Sequence, residues 1–192
     1  MSLIVKENEN VGFEIIPEGT FIATCVGLYD IGAQYSERYD KSTEKIVIAW
    51  ELPEVTYENG AGEVLPRIIS NTYTSSLGEK ANLRRDLEAW RGRAFTKEEL
   101  AGFDLRNILG KPCMVQVVHS KNGEKTYANI KAIMKMHASM PVPEIASELL
   151  CFDLDDEGWE MQMEKLPEWI QNKVKESMTY KEKMGLVEEK PF

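Results

Sequence analysis

Tyr35, Arg38, Tyr39 and Lys41 fall within seven positions of one polar segment, AQYSERYDKSTE. Aromatic rings interleaved with cations are what a single nucleic-acid strand requires, because rings stack on bases and cations follow phosphates. Two further groups carry the same chemistry. Arg67 and Tyr73 share parity in RIISNTYTSS, and Lys121, Lys125, Tyr127 and Lys131 surround the Asn122-Gly123 pair. Each group has a plainer reading. Tyr and Lys are common on strands, and the Tyr35/Tyr39 loop can fold back on the body of the protein. Four arginines, Arg84, Arg85, Arg91 and Arg93, form a basic stretch in LRRDLEAWRGR. Asp86 and Glu88 lie among them, and the favoured reading is a solvated face with charges paired along a helix.

Catalytic signatures are missing. The sequence contains no GxSxG, HExxH, GxxxxGK[ST] or GxGxxG. His119 and His137 stand 18 residues apart and in no ligand pattern. Asp153, Asp155, Asp156 and Glu157 lack the spacing of a calcium loop and read as a solvated acidic segment. The expectation is a protein without catalytic residues, metal or cofactor. A metal-assisted activity on the carboxylates of 153–157 is the weakest alternative.

The elements that would position these groups follow from periodicity. Strands are predicted over residues 20–32, 45–52 and 67–76, with Gly27 marking a bulge in the first. Ile46, Ile48, Trp50 and Leu52 share one face of the second, which makes Trp50 a core residue. A turn is placed at Asn59-Gly60. A helix follows, with Leu83, Leu87 and Trp90 on one stripe, Ser76 and Glu79 as its capping box and Gly92 as its stop. Trp90 is expected to plug the core. A second short helix has Thr96 and Glu99 as capping box and Phe95 and Leu100 as staple. Two more strands, 112–120 and 125–134, flank Asn122-Gly123. In the last, Ala128, Ile130, Ala132 and Met134 are expected inward and Tyr127, Asn129 and Lys131 outward.

Three strands, a helix and two strands is the order of a mostly β, five-stranded OB-fold Greek-key barrel, with its helix between strands three and four. Such barrels bind across strands two and three, helped by the 1–2 and 4–5 loops. The Tyr35–Lys41 loop and the Lys121–Lys131 hairpin then become two jaws of one groove.

The chain has 192 residues and a net charge of −9. Residues 1–140, the expected OB-fold domain, carry −2, while 141–192 carry −7. That last stretch is expected to be an acidic C-terminal extension with a helix beginning at Pro167 and a stripe of Ile170, Val174 and Met178. Its acidity can compete with DNA for a basic groove. Cys25, Cys113 and Cys151 form no CxxC pair and read as reduced, buried thiols. The N-terminus is too polar for a signal peptide, and no apolar run is long enough to span a membrane.

Three stretches, GTFIATCVGLYDIGAQYSERYDKSTEKIVIAWELP, LRRDLEAWRGRAFTKEEL and FDLRNILGKPCMVQVVHSKNGEKTYANI, resemble phage and prophage replication–recombination proteins. These are similar to single-stranded DNA-binding proteins built on the OB fold. The resemblance spans residues 19–133 and implies coating of DNA strands in the cytoplasm of a bacterial host, without catalysis. The chain ends GLVEEKPF, which is similar to the acidic, Pro-Phe-terminated tip by which bacterial single-stranded DNA-binding proteins recruit replication and repair enzymes. Glu188, Glu189, Pro191 and Phe192 match that tip in kind; Lys190 and the small number of acids depart from it. The expected partners are single-stranded DNA and, through this end, replication or recombination proteins, with self-association left open. An OB-fold protein-interaction module without direct nucleic-acid binding is the main alternative.

Overall fold

One long strand, β1 (Gly19–Ser36), organises the sheet. The computed structural model describes residues 15–186. β1 pairs antiparallel with β2 (Lys41–Glu58) through its later two thirds and with β4 (Pro112–Asn122) through residues 19–24. β3 (Val64–Thr74) adds to β2, and β5 (Lys125–Met134) adds to β4. The path is β3-β2-β1-β4-β5. A sixth strand, β6 (Leu150–Phe152), was not expected; it pairs parallel with residues 27–29 of β1, just past the point where β4 leaves that edge. The hydrogen-bonded sheet is therefore mostly antiparallel and open, with β3 and β5 as its ends. Helices α1 (Asn82–Arg91) and α2 (Lys97–Ala101) lie between β3 and β4, as predicted.

The sheet has a core on each side. On one, Trp50 meets Trp90 of α1 with ring centroids 5.9 Å apart, among Ile46, Ile48, Leu52, Leu83 and Leu87. Trp90 Nε1 donates to the Pro112 carbonyl at 2.8 Å, so the indole satisfies its polar atom while filling the interior. On the other, Tyr29, Ile31, Val47 and Ala49 lie under Phe152, Leu154, Trp159, Met163, Leu166, Ile170 and Val174. These covering residues come from β6, α3 (Trp159–Met163), α4 (Glu168–Glu176) and the connections between them. The segment from Leu150 to Tyr180 thus packs as a layer over the sheet.

Local signals account for several elements. Gly92 ends α1 with φ 69°, and Thr96 and Glu99 form the expected capping box of α2. Asn59 Oδ1 accepts from the amides of Ala61 and Glu63, fixing the turn after β2. Other expectations need correction. Ser76 caps no helix: its hydroxyl accepts from the Gly78 amide, and α1 starts after Ala81 without a side-chain cap. The helix predicted from Pro167 breaks at Ser177, whose Oγ accepts from Tyr180 and starts α5 (Met178–Lys183).

Bulges redirect faces. Val26 is skipped in the β1–β2 register, so Cys25 and Leu28 reach the same core despite their parity. Lys131 is skipped in the β4–β5 register, so the inward face changes along β5. Ile133, not Ala132 or Met134, is the buried residue after the bulge. Both cysteines in β1 and β4 are buried, and burial pushes the Cys25 thiol up to about 12 and raises that of Cys113 as well.

Gly32 records how closely the second layer approaches. Its φ is 66°, and a Cβ there would stand 2.8 Å from Ser177 Oγ and 2.9 Å from Thr179 Cβ. The neighbouring Ala33 amide donates to Thr179 Oγ1 at 2.8 Å. Gly32→Ala is expected to destabilise the protein by about 2 kcal/mol, from the left-handed backbone alone, before the clash is counted. Urea unfolding measures this; a midpoint equal to that of the parent protein would overturn both the backbone cost and the close approach of Ser177 and Thr179.

Candidate nucleic-acid interface

The segment expected as a loop after β1 is a hairpin. Residues 33–36 pair with 41–44, so Tyr35, Arg38, Tyr39 and Lys41 sit on a hydrogen-bonded tip. Tyr35 is 56% exposed and Tyr39 69% exposed. The Tyr35 hydroxyl donates to Asp40 Oδ1 at 2.7 Å, a bond that raises its pKa. The Arg38 guanidinium lies 5.4 Å from the Tyr39 ring centre. Both rings are thus accessible and partly pre-oriented, which lowers the ordering cost of stacking.

The β4–β5 hairpin carries the second group. Lys121 and Lys125 flank its turn, and Tyr127 is 46% exposed opposite Ser120. Asn129 Nδ2 donates to Ser120 Oγ at 2.7 Å, tying the two strands beside that tyrosine. Lys131, on its bulge, borders a crevice of about 650 Å³ with Lys45 and the start of α1.

The third group divides. Arg67 pairs in register with Leu52 and places its guanidinium 4.4 Å from the Tyr57 ring centre, near the start of β3. Tyr73, at the other end, is only 3% exposed. Its hydroxyl donates to Asp86 Oδ2 at 3.0 Å, and burial raises its pKa further. A ring so enclosed has no face for a base, so Tyr73 belongs to the core.

The two hairpin tips project from opposite ends of β1. The β1–β2 tip follows Ser36, whereas the β4–β5 tip lies beyond the pairing of Val117 with Gly19. Bulges after Cys25 and Asp30 bend β1 between those two ends. Between them, the outer side of β1 and β2 is covered by the C-terminal layer. The outward positions of β3 remain open, with Ile68 50% exposed and Ser70 and Thr72 also exposed.

The arginines of the helical insertion are internally engaged. Arg84 pairs with Glu88 at 3.0 Å and Arg85 with Asp86 at 2.9 Å; Arg91 and Arg93 share Glu99. The guanidinium of Arg93, with the Thr96 amide and Arg91, holds the Glu99 carboxyl down to about 2. The acidic run is pinned as well: Arg106 bridges Asp153 and Asp156 at 3.0 Å each, and Lys183 meets Asp155 at 3.1 Å. Among the described residues, no group of three or more His, Cys, Asp or Glu is arranged to hold a metal ion. His119 Nε2 lies 2.8 Å from the Ile16 carbonyl, a strand-end contact. Among the described residues, no helix is long and apolar enough to cross a membrane. Glu188, Glu189, Pro191 and Phe192 lie outside the described residues.

One anchor of the second layer escaped sequence reading. Glu51, with no exposed surface, accepts from the Ala146 amide at 2.9 Å and the Ser147 amide at 2.7 Å. The run IVIAWEL carried a signal for it, since both faces of such a strand are apolar and two-sided burial follows. Neither a protein-family model nor a curated protein matches the chain.

Proposed function

We propose that this protein binds single-stranded DNA without catalysis, in the replication or recombination of a phage or prophage in the bacterial cytoplasm. The observation that carries the reading is the β1–β2 tip, where two exposed tyrosines alternate with Arg38 and Lys41 on a hydrogen-bonded hairpin. Rings of this kind stack on any base, and the cations neutralise phosphates, so little sequence preference results. The path β3-β2-β1-β4-β5, with helices between β3 and β4, supports a partly open OB-type barrel as the platform. The resemblance over residues 19–133 supports the phage setting. With the outer side of β1 and β2 covered, the strand would run along β3 and the two tips.

Oligo(dT) titration across salt is the test. Affinity is expected to fall steeply as salt rises. Replacing Tyr35 and Tyr39 with alanine should weaken it by about tenfold or more, at about 1–3 kcal/mol per stacked base. Absence of binding at low salt would overturn the proposal.

A protein-interaction module is the second reading. It is favoured by the −9 net charge and by apolar residues on the outside of the C-terminal layer, where Met161 is 74% and Trp169 43% exposed. Retained oligo(dT) binding in a Trp169→Ala variant that loses a protein partner would assign the two surfaces separately.

A further inference from the structure

A cavity of about 640 Å³ opens between the C-terminal end of α1, the segment before β4 and the chain after β5. Its walls hold Arg91, Arg93, Lys111 and Lys135, against the single carboxylate of Glu99. Trp90, Phe103, Ile108 and Pro112 supply apolar surface beside them. In a protein of net charge −9, this is a local excess of positive charge.

Part of that charge has a structural explanation. Arg91 and Arg93 share Glu99, and cations near the end of α1 complement its dipole. The remainder does not. The Arg91 guanidinium lies 4.3 Å from the Phe95 ring centre and 5.1 Å from that of Phe103. One face of its hydrogen bonding goes to Glu99, but Nη1 is buried and has no partner. Its surroundings are instead the rings of Phe95 and Phe103, a cation–π environment. Among the described residues, neither Lys111 nor Lys135 forms an ion pair. The Lys135 stem lies over Gly92, where a Cβ would come within 2.6 Å of its Cδ, so the backbone there leaves room for the lysine.

We propose that this cavity binds a phosphomonoester carried by a nucleotide. Four cations against one carboxylate suit a group of about −1.5 to −2 charge better than a single carboxylate. The apolar wall accepts the planar body that such a group carries, and the volume lies in the range of small-molecule sites. The phosphate comes either from a free nucleotide or from the end of a strand. The site uses none of the tyrosines of the strand interface, so the two proposals stand or fall separately.

The full-length protein is titrated with dTMP, with inorganic phosphate, and with oligo(dT) bearing or lacking a terminal phosphate. Saturable dTMP binding, displaced by inorganic phosphate, is expected. The Lys111→Ala/Lys135→Ala double variant avoids the packed Arg91 and should bind dTMP about tenfold or more weakly, as befits lost charge-assisted bonds. Its affinity for oligo(dT) without a terminal phosphate should stay unchanged. A preference for the end-phosphorylated oligonucleotide assigns the site to strand ends; dTMP bound as tightly as that oligonucleotide assigns it to free nucleotide. No saturation by dTMP, equal dTMP affinity in the double variant, or capture of an acidic peptide in place of dTMP would each overturn the proposal.

Discussion

A chain ending after Met140 is expected to aggregate and to lose its cooperative unfolding transition. Truncation there removes β6, α3, α4 and α5 and bares Tyr29, Ile31 and Val47 on the face they cover. Three large side chains returned to water cost roughly 5–9 kcal/mol at 1.5–3 kcal/mol each. That is comparable with the whole net stability of an ordinary domain, about 5–15 kcal/mol. The bared strands would also present a flat apolar surface suited to self-association. Light scattering and calorimetry check this. A monomeric truncated protein with a single transition within about 5 °C of the full chain would falsify it, since a loss of even 1–2 kcal/mol shifts the midpoint by about that much.

This changes how the acidic C-terminal region can be examined as a competitor of DNA. Deleting it would remove the cover of the second core along with the charge. Exchanging its exposed carboxylates, such as Glu160, Glu164 and Glu168, for glutamines leaves Trp159, Met163 and Ile170 in place.

Glu51→Ala is expected to cost about 3–5 kcal/mol. Two backbone amides, those of Ala146 and Ser147, lose a charged acceptor at once. Bonds to charged groups contribute about 1.5–3 kcal/mol each, and the shortened side chain leaves a void between β2 and the chain that leads into β6. Glu51→Gln retains the shape and one acceptor oxygen, and should cost less than half as much. Urea denaturation gives the magnitude, and hydrogen exchange at Ala146 and Ser147 locates it. If the alanine variant matches the parent midpoint, residues 146 and 147 are not held by this carboxylate and the C-terminal layer is anchored elsewhere.

The legible parts of this molecule are those set by neighbours in the chain. Leu83, Leu87 and Trp90 recur at helical spacing, and Gly92 takes the left-handed conformation that ends their helix. Thr96 and Glu99 need only three residues between them to cap α2. The alternation of Ile46, Ile48, Trp50 and Leu52 identified one core face of β2, and Trp50 is indeed fully buried. The exposed tyrosines of both hairpin tips were also visible, because strand parity and turn residues place them away from the core.

What escaped was decided between segments far apart. Tyr73 has the residue type of a stacking group, but its partner Asp86 and its burial come from α1 packing on β3. Gly27 marked the bulge beside it in β1, but the bulge at Lys131 depends on how two strands share one curved sheet, and nothing local to Lys131 announces that parity reverses there.

The sequence by itself determined that this chain makes a β-rich body with one helical insertion, two polar hairpin tips carrying rings and cations, and an acidic end. Periodicity, turn chemistry and composition act over a few residues, so they are readable one segment at a time. Only the tertiary structure decided that the segment from Leu150 to Tyr180 closes a second core over β1 and β2, anchored by Glu51 and Gly32. Those outcomes rest on apolar faces finding covers and on amides finding acceptors about a hundred residues away, which no local pattern encodes.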